Sequence, residues 1–182
     1  IALGLEAGEH LFDIVYDGRL DAFGGFVQQE HLGFAEQGAG DGELDRPSGI
    51  AFDQDENFFV ADTMNHRVQK FTKDGRFLAK FGRQGSGDGE LNMPWGVTVD
   101  PQGNVWVADW RNDRIQKLTP EGKFIASIGS SGDLPGQFNR PTNLAVDRDG
   151  DVYVTDWMNH RVQAFTPELR YVTSFLGEAT FS

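Results

Sequence analysis

Three aspartate–arginine pairs stand out first: Asp62/Arg67, Asp109/Arg114 and Asp156/Arg161, each five residues apart. Such pairs can make charge-assisted hydrogen bonds, and a carboxylate can also accept loop amides. Three copies of one pair fit a recurring structural brace better than a single reactive centre. Two Asn-His steps, Asn65/His66 and Asn159/His160, add imidazoles. Zinc needs several ligands converging on one point, and the sequence offers only His10, His31, His66 and His160. Asp147-x-Asp149-Gly-Asp151 resembles the start of a calcium loop but lacks the distal glutamate, so the reading is a hairpin held by Asx-type bonds. Gly38-Ala-Gly-Asp-Gly42 and Gly85-Ser-Gly-Asp-Gly89 look like phosphate cradles, yet no helix start follows and no lysine is placed as in a P-loop. Neither a catalytic set nor a cofactor or metal site is expected.

These residues are positioned by a repeat. Pro47, Pro94 and Pro141 are spaced by 47 residues, as are the aspartates and the arginines. Residues 41–85 laid on 88–132 without a gap give 21 identities in 45 positions, and a further copy begins near Leu134. Each copy holds four short runs rich in Val, Ile and Phe: Gly49–Asp53, Phe58–Asp62, Arg67–Phe71 and Phe77–Phe81 in the first. The counterparts are Gly96–Asp100, Val105–Asp109, Arg114–Leu118 and Phe124–Ile128, then Asn143–Asp147, Val152–Asp156, Arg161–Phe165 and Tyr171–Phe175. Their length and composition are those of strands, broken by turn residues. Four antiparallel strands per ~40–50 residues mark a β-propeller blade. One such sheet has two apolar flanks and must stack to cover them, with Phe59, Trp106 and Tyr153 filling the wedges.

The fold expected is therefore all-β, a propeller of four-stranded antiparallel blades over 41–87, 88–134 and 135–182. Residues 1–24 read as a partial, degenerate blade lacking its innermost strand, and 25–39 as a loop insertion. Three full blades plus a partial one point to a segment of a six-bladed ring, or to a second copy that closes it, since closed propellers have about 4–8 blades.

The cores Phe-Phe-Val-Ala-Asp-Thr-Met-Asn-His-Arg-Val-Gln-Lys-Phe (58–71) and Tyr-Val-Thr-Asp-Trp-Met-Asn-His-Arg-Val-Gln-Ala-Phe (153–165) resemble the NHL repeat family. The middle copy reads Trp-Arg-Asn-Asp-Arg-Ile-Gln-Lys-Leu (110–118), with Asp113 replacing histidine. The resemblance implies a binding platform for protein or RNA, a sensor domain, or, in one branch, a lyase. The fold alone does not choose among them.

Strand direction does sort the loops. The second-to-third-strand loop shares one face with the crossover to the next blade. That face carries Met64, His66, Trp95, Trp110, Arg111, Trp157, Met158 and His160, the candidate partner-binding residues. Aromatic and arginine side chains dominate interface hot spots. The chain has 16 Lys+Arg against 28 Asp+Glu, a net charge of −12. The loops of this face carry Glu30, Glu36, Asp41, Glu43, Asp45, Asp88, Glu90 and Asp133 against Arg46, Arg83, Arg111 and Arg140. That sign disfavours nucleic acid. The expectation is a non-enzymatic binding, scaffold or sensor module for a protein, peptide or glycan. The alternative is a metal-dependent lyase or lactonase-like propeller enzyme, for which Asn143, replacing Gly49 and Gly96, is the one candidate aimed at the channel. There is no cysteine, and no apolar run is long enough to span a membrane.

Overall fold

The computed structural model describes residues 40–176. They form three four-stranded antiparallel sheets, each in simple sequence order. Blade one contains β1 (Pro47–Phe52), β2 (Phe58–Asp62), β3 (Arg67–Phe71) and β4 (Phe77–Phe81). Blade two contains β5 (Pro94–Val99), β6 (Val105–Asp109), β7 (Arg114–Leu118) and β8 (Phe124–Ile128). Blade three contains β9 (Pro141–Val146), β10 (Val152–Asp156), β11 (Arg161–Phe165) and β12 (Tyr171–Leu176). The propeller architecture read from the repeat is present, with the second, third and fourth strands of blades one and two placed to the residue. The partial blade expected over 1–24 and the insertion over 25–39 lie outside the described residues.

The inner strands start two residues before the expected Gly49, Gly96 and Asn143, at the repeated prolines. Pro47 pairs with Asp62 and Pro94 with Asp109, and the register then slips before Ile50 and Val97. Proline lacks the ladder donor, so the first residue of a strand beside a bulge is where a sheet tolerates it.

The cores lie between blades. Strand alternation sends Phe59 and Ala61 of β2, with Val68, Phe81 and Leu91, towards blade two, where they meet Val97, Val105, Val107 and Leu118. The second core repeats the plan: Trp106, Ala108, Ile115 and Phe138 against Leu144, Val152, Val154 and Phe165. Each fully buried side chain of this kind contributes about 1.5–3 kcal/mol. Stacking, not the single sheet, is the source of stability.

The inner strands approach so closely that side chains are excluded. A Cβ on Gly49 would lie 2.6 Å from the Trp95 carbonyl oxygen, and one on Gly96 2.7 Å from that of Thr142. The direction of that missing Cβ is across the seam to the next blade. Asn143 occupies the same place in blade three; its Oδ1 lies 2.9 Å from where a Cβ on Gly96 would stand and accepts the Leu144 amide at 2.9 Å, so it is held against blade two.

Candidate functional site

Each second-to-third-strand loop is a single 3-10 turn: Thr63–Asn65, Trp110–Asn112 and Trp157–Asn159. Each ends on a left-handed residue, His66 (φ 54°), Asp113 (φ 50°) or His160 (φ 53°). Histidine and aspartate tolerate this region better than β-branched or bulky apolar residues.

The aspartate preceding each turn organises the loop. Asp62 is fully buried; its Oδ1 accepts the Asp45 amide at 2.7 Å and its Oδ2 accepts Arg67 Nε at 2.7 Å. Asp109 treats the Asn92 amide and Arg114 alike, at 2.7 and 2.8 Å, and Asp156 the Asn139 amide and Arg161, both at 2.7 Å. The arginines reach on to crossover carbonyls: Arg67 Nη2 donates to Gly40 and Glu43, and Arg114 Nη2 to Gly87 and Glu90. The pairs thus tie the 3-10 turn to the incoming crossover.

Two participants were not singled out from the sequence. Gln69, Gln116 and Gln163 are completely buried. Their Oε1 atoms accept the amides of Gly42, Gly89 and Gly136, each at 2.9 Å, and their Nε2 atoms donate to the Glu43, Glu90 and Gln137 carbonyls at 2.6 Å. Their recurrence at the 47-residue period two positions after each arginine was the available signal. The second participant is the side chain closing each Gly-rich crossover. Glu43 Oε2 accepts the Gly40 amide and Glu90 Oε2 the Gly87 amide, both at 2.9 Å, and Gln137 Oε1 accepts the Leu134 amide at 3.1 Å. The amides that suggested a phosphate cradle are taken within the fold, Gly40 and Gly87 by the loop glutamates and Gly42 and Gly89 by the buried glutamines. That Gly87 bond, together with Arg83, holds the Glu90 carboxyl below its usual range.

On the opposite edge, the hairpins between first and second strands are Asx turns. Asp147 Oδ1 accepts the amides of Asp149 and Asp151 at 3.0 and 2.9 Å, and Asp53 and Asp100 do the same in their blades. Burial of Asp100 opposes ionisation, but hydrogen bonds from Asn104, Trp106 and Lys117 outweigh it and lower its pKa.

The structure separates the predicted partner-binding residues into two groups. Trp95 and Trp110 come together from the β5 start and the following turn, ring centroids 5.1 Å apart. Arg140 lies 4.8 Å and Arg111 5.7 Å from the Trp110 ring. Arg140, from the next crossover, was counted among this face's cations but not as a contact residue. Trp95 is 38% exposed; Trp110 Nε1 is buried without an acceptor among the described residues. Trp157 and Met158 stand apart on blade three, 55% and 50% exposed. Met64 is half-buried, its amide bonded to the Asp45 carbonyl at 3.1 Å. His66 is committed within the fold: its Nδ1 accepts the Met93 amide at 3.0 Å across the seam. Burial and the nearby Arg111 hold its pKa below the usual imidazole value, partly countered by Asp109. Asp113 performs the same task for the Arg140 amide, at 2.8 Å. Among the described residues, no three His, Cys, Asp or Glu side chains converge as metal ligands. The inner strands β1, β5 and β9 carry no carboxylate along their length, so the described residues do not fit the metal of a lactonase-like site built there.

Comparison with known proteins places this geometry. The family described as SMP-30/Gluconolactonase/LRE-like region matches residues 39–136, and the NHL repeat matches 138–165. Protein lin-41 of Caenorhabditis elegans is 55% identical over 49 residues, 27% of this chain and 4% of that protein. Protein brain tumor of Drosophila melanogaster is 46% identical over 52 residues, 29% and 5% respectively. The chain therefore spans only a small part of these curated relatives. Among solved structures, a protein of unknown function from Bacteroides caccae superposes with a TM-score of 0.57 at 17% identity, over 75% of this chain and 48% of that one. A streptogramin B lyase gives 0.58 at 16% identity, over 74% and 41%. Hydrazine synthase of Kuenenia stuttgartiensis gives 0.58 at 17%, over 85% and 40%. At these identities the likeness is one of fold.

Proposed function

The chain belongs to the SMP-30/gluconolactonase/LRE-like family and carries NHL repeats, and from that premise we propose that it is a non-enzymatic binding module whose 3-10-turn face engages a protein, peptide or glycan. The observation that carries the reading is the Trp95–Trp110 pair flanked by Arg111 and Arg140. The equivalent of Trp110 in blade one is Thr63, whose hydroxyl donates to the Pro94 carbonyl at 2.8 Å. The blade-to-blade contact is thus made without an aromatic, and the tryptophans supply more than the fold requires. Two indoles, one of them with two guanidiniums against its ring, suit a partner that presents a flat or aliphatic group next to a carboxylate. The Trp110 N–H, buried without an acceptor among the described residues, costs about 1–3 kcal/mol until a partner supplies one. Trp157 and Met158 extend the same face. The described acidic groups of this face outnumber its arginines, and Arg83 is paired with Glu90 at 2.9 Å, which supports a partner other than RNA.

The test is binding of the labelled chain to tiled peptide and glycan arrays, comparing wild type with Trp95→Ala/Trp110→Ala and with Trp110→Ala/Trp157→Ala. Signal loss of tenfold or more in folded variants supports the reading; undiminished binding removes these loops from it. The family and the lyase neighbour favour an enzyme as the second reading. Turnover of a lactone or streptogramin that depends on added divalent metal and survives the tryptophan substitutions would establish it instead.

A further inference from the structure

We propose that His66 is an acid-operated release for the Trp95–Trp110 pair: protonation of its ring frees the Met93 turn that carries Trp95 and takes the pair apart. The consequence for function, that a bound partner is let go in acid, rests on the binding role above; the switch itself belongs to the free chain.

Trp110 is bracketed by two straps of the same design. The first runs through Asn92, Met93, Pro94 and Trp95, the second through Asn139, Arg140, Pro141 and Thr142. Each begins with a backbone amide donated to the buried aspartate of the blade it enters, Asn92 to Asp109 and Asn139 to Asp156, both at 2.7 Å. Each then turns through a left-handed residue, Met93 at φ 54° and Arg140 at φ 61°. Such a backbone is uncommon for these residue types and persists where its surroundings enforce it. A latch from the preceding blade does so here. His66 Nδ1 accepts the Met93 amide at 3.0 Å, and Asp113 Oδ1 accepts the Arg140 amide at 2.8 Å. The first strap delivers the Trp95 ring, 5.1 Å from that of Trp110, and the second the Arg140 guanidinium, 4.8 Å from it.

The two latches differ in chemistry. An imidazole nitrogen accepts only while it carries no proton, whereas an ionised carboxylate only accepts. Protonated His66 turns an N–H towards the N–H of Met93, so the turn must move. Pro94 follows directly, and its ring fixes φ near about −65°, so little of the change is absorbed before Trp95. The Thr63 and Ser48 hydroxyls hold the Pro94 and Trp95 carbonyls at 2.8 and 2.6 Å. Strand β5 therefore stays docked, and the displacement falls on the Met93 turn and the Trp95 ring.

A second effect acts through charge. Arg111 and Asp109, both from blade two, act on the His66 ring, the first opposing a proton and the second favouring one. Asp62 and Arg67 of its own hairpin are bonded to each other at 2.7 Å. The crossover over 82–93 carries Arg83, paired with Glu90 at 2.9 Å, and the exposed Asp88. A charged His66 repels Arg111, which no ion pair or side-chain hydrogen bond holds among the described residues and which lies 5.7 Å from the Trp110 ring. Acid thus draws Trp95 and Arg111 away from Trp110 and leaves Arg140 in place.

The pair carries its own readout, because two indoles this close give an exciton couplet in far-ultraviolet circular dichroism with no partner present. Trp95→Phe identifies that couplet by losing it at every pH. From about pH 7.5 to about pH 5 the wild-type couplet is expected to fall by about half or more. Its midpoint should lie below the ordinary imidazole value of about 6.5, since burial and Arg111 disfavour the charged ring, Asp109 opposing. His66→Asp and His66→Asn keep an acceptor on residue types that tolerate a left-handed backbone, and either should hold the couplet constant; the second serves where the first folds poorly. No couplet at neutral pH, a wild-type couplet indifferent to acid, or an equal loss in a folded His66 variant would each overturn the proposal. Peptide and glycan arrays that find no binder overturn the binding role and leave this result standing, and a failed couplet leaves the array result standing.

Discussion

Lowering the pH from 7.5 to 5 should loosen the first seam and spare the second. His66 Nδ1 can accept the Met93 amide only while unprotonated, which places the ring proton on Nε2. Burial and Arg111 lower its pKa, Asp109 opposing, so the folded state favours the neutral ring. The sign follows. Above the ordinary imidazole pKa of about 6.5 the latch contributes fully; below it the unfolded chain takes up a proton first, and stability falls until the folded ring also protonates. A hydrogen bond of this kind contributes about 0.5–1.5 kcal/mol, and partial exposure argues for the lower half of that range. His66→Asp is the informative variant, because Asp113 already does this work in the next blade with the same backbone. Urea unfolding at half-unit pH steps should give wild type a loss of about 1 kcal/mol between pH 7 and 5 relative to His66→Asp. The other histidines are common to both chains and cancel in the difference. Identical pH profiles for the two would refute the latch.

Further outcomes can be checked by denaturation or exchange. Asp109→Ala leaves Arg114 and Gln116 without their buried acceptor and should cost about 3–5 kcal/mol in urea unfolding. Leu91→Ala, in the first inter-blade core, should cost about 2–5 kcal/mol by the same assay. Gly96→Ala should destabilise by about 1–3 kcal/mol or more, because its Cβ meets the Thr142 carbonyl at 2.7 Å. Glu90→Ala frees the Gly87 amide, and hydrogen exchange at Gly87 should accelerate while the amides of β6 keep wild-type protection.

The repeat made most of the architecture legible, since a 47-residue period with four apolar runs admits few folds. It failed at the inner strands because proline reads as a breaker. Only the bulge between Pro47 and Ile50 shows how the strand begins there. On the site, strand direction put Trp95 and Trp110 on one face, but their contact and the part played by Arg140 are three-dimensional facts. Gln69 was passed over because glutamine carries no chemistry by type. Its worth comes from complete burial between Asp62 and the crossover.

The glutamates that plug the first two Gly-rich crossovers give the scaffold an unused capacity. In the first two blades the loop amides form a receptor already filled by a tethered anion, Glu43 or Glu90. Shortening those side chains would vacate two sockets on neighbouring blades, held in register by the rigid stack. A multidentate anion, such as a sulfated sugar chain, could then be gripped at fixed intervals, so the fold is a ready frame for engineering such a receptor.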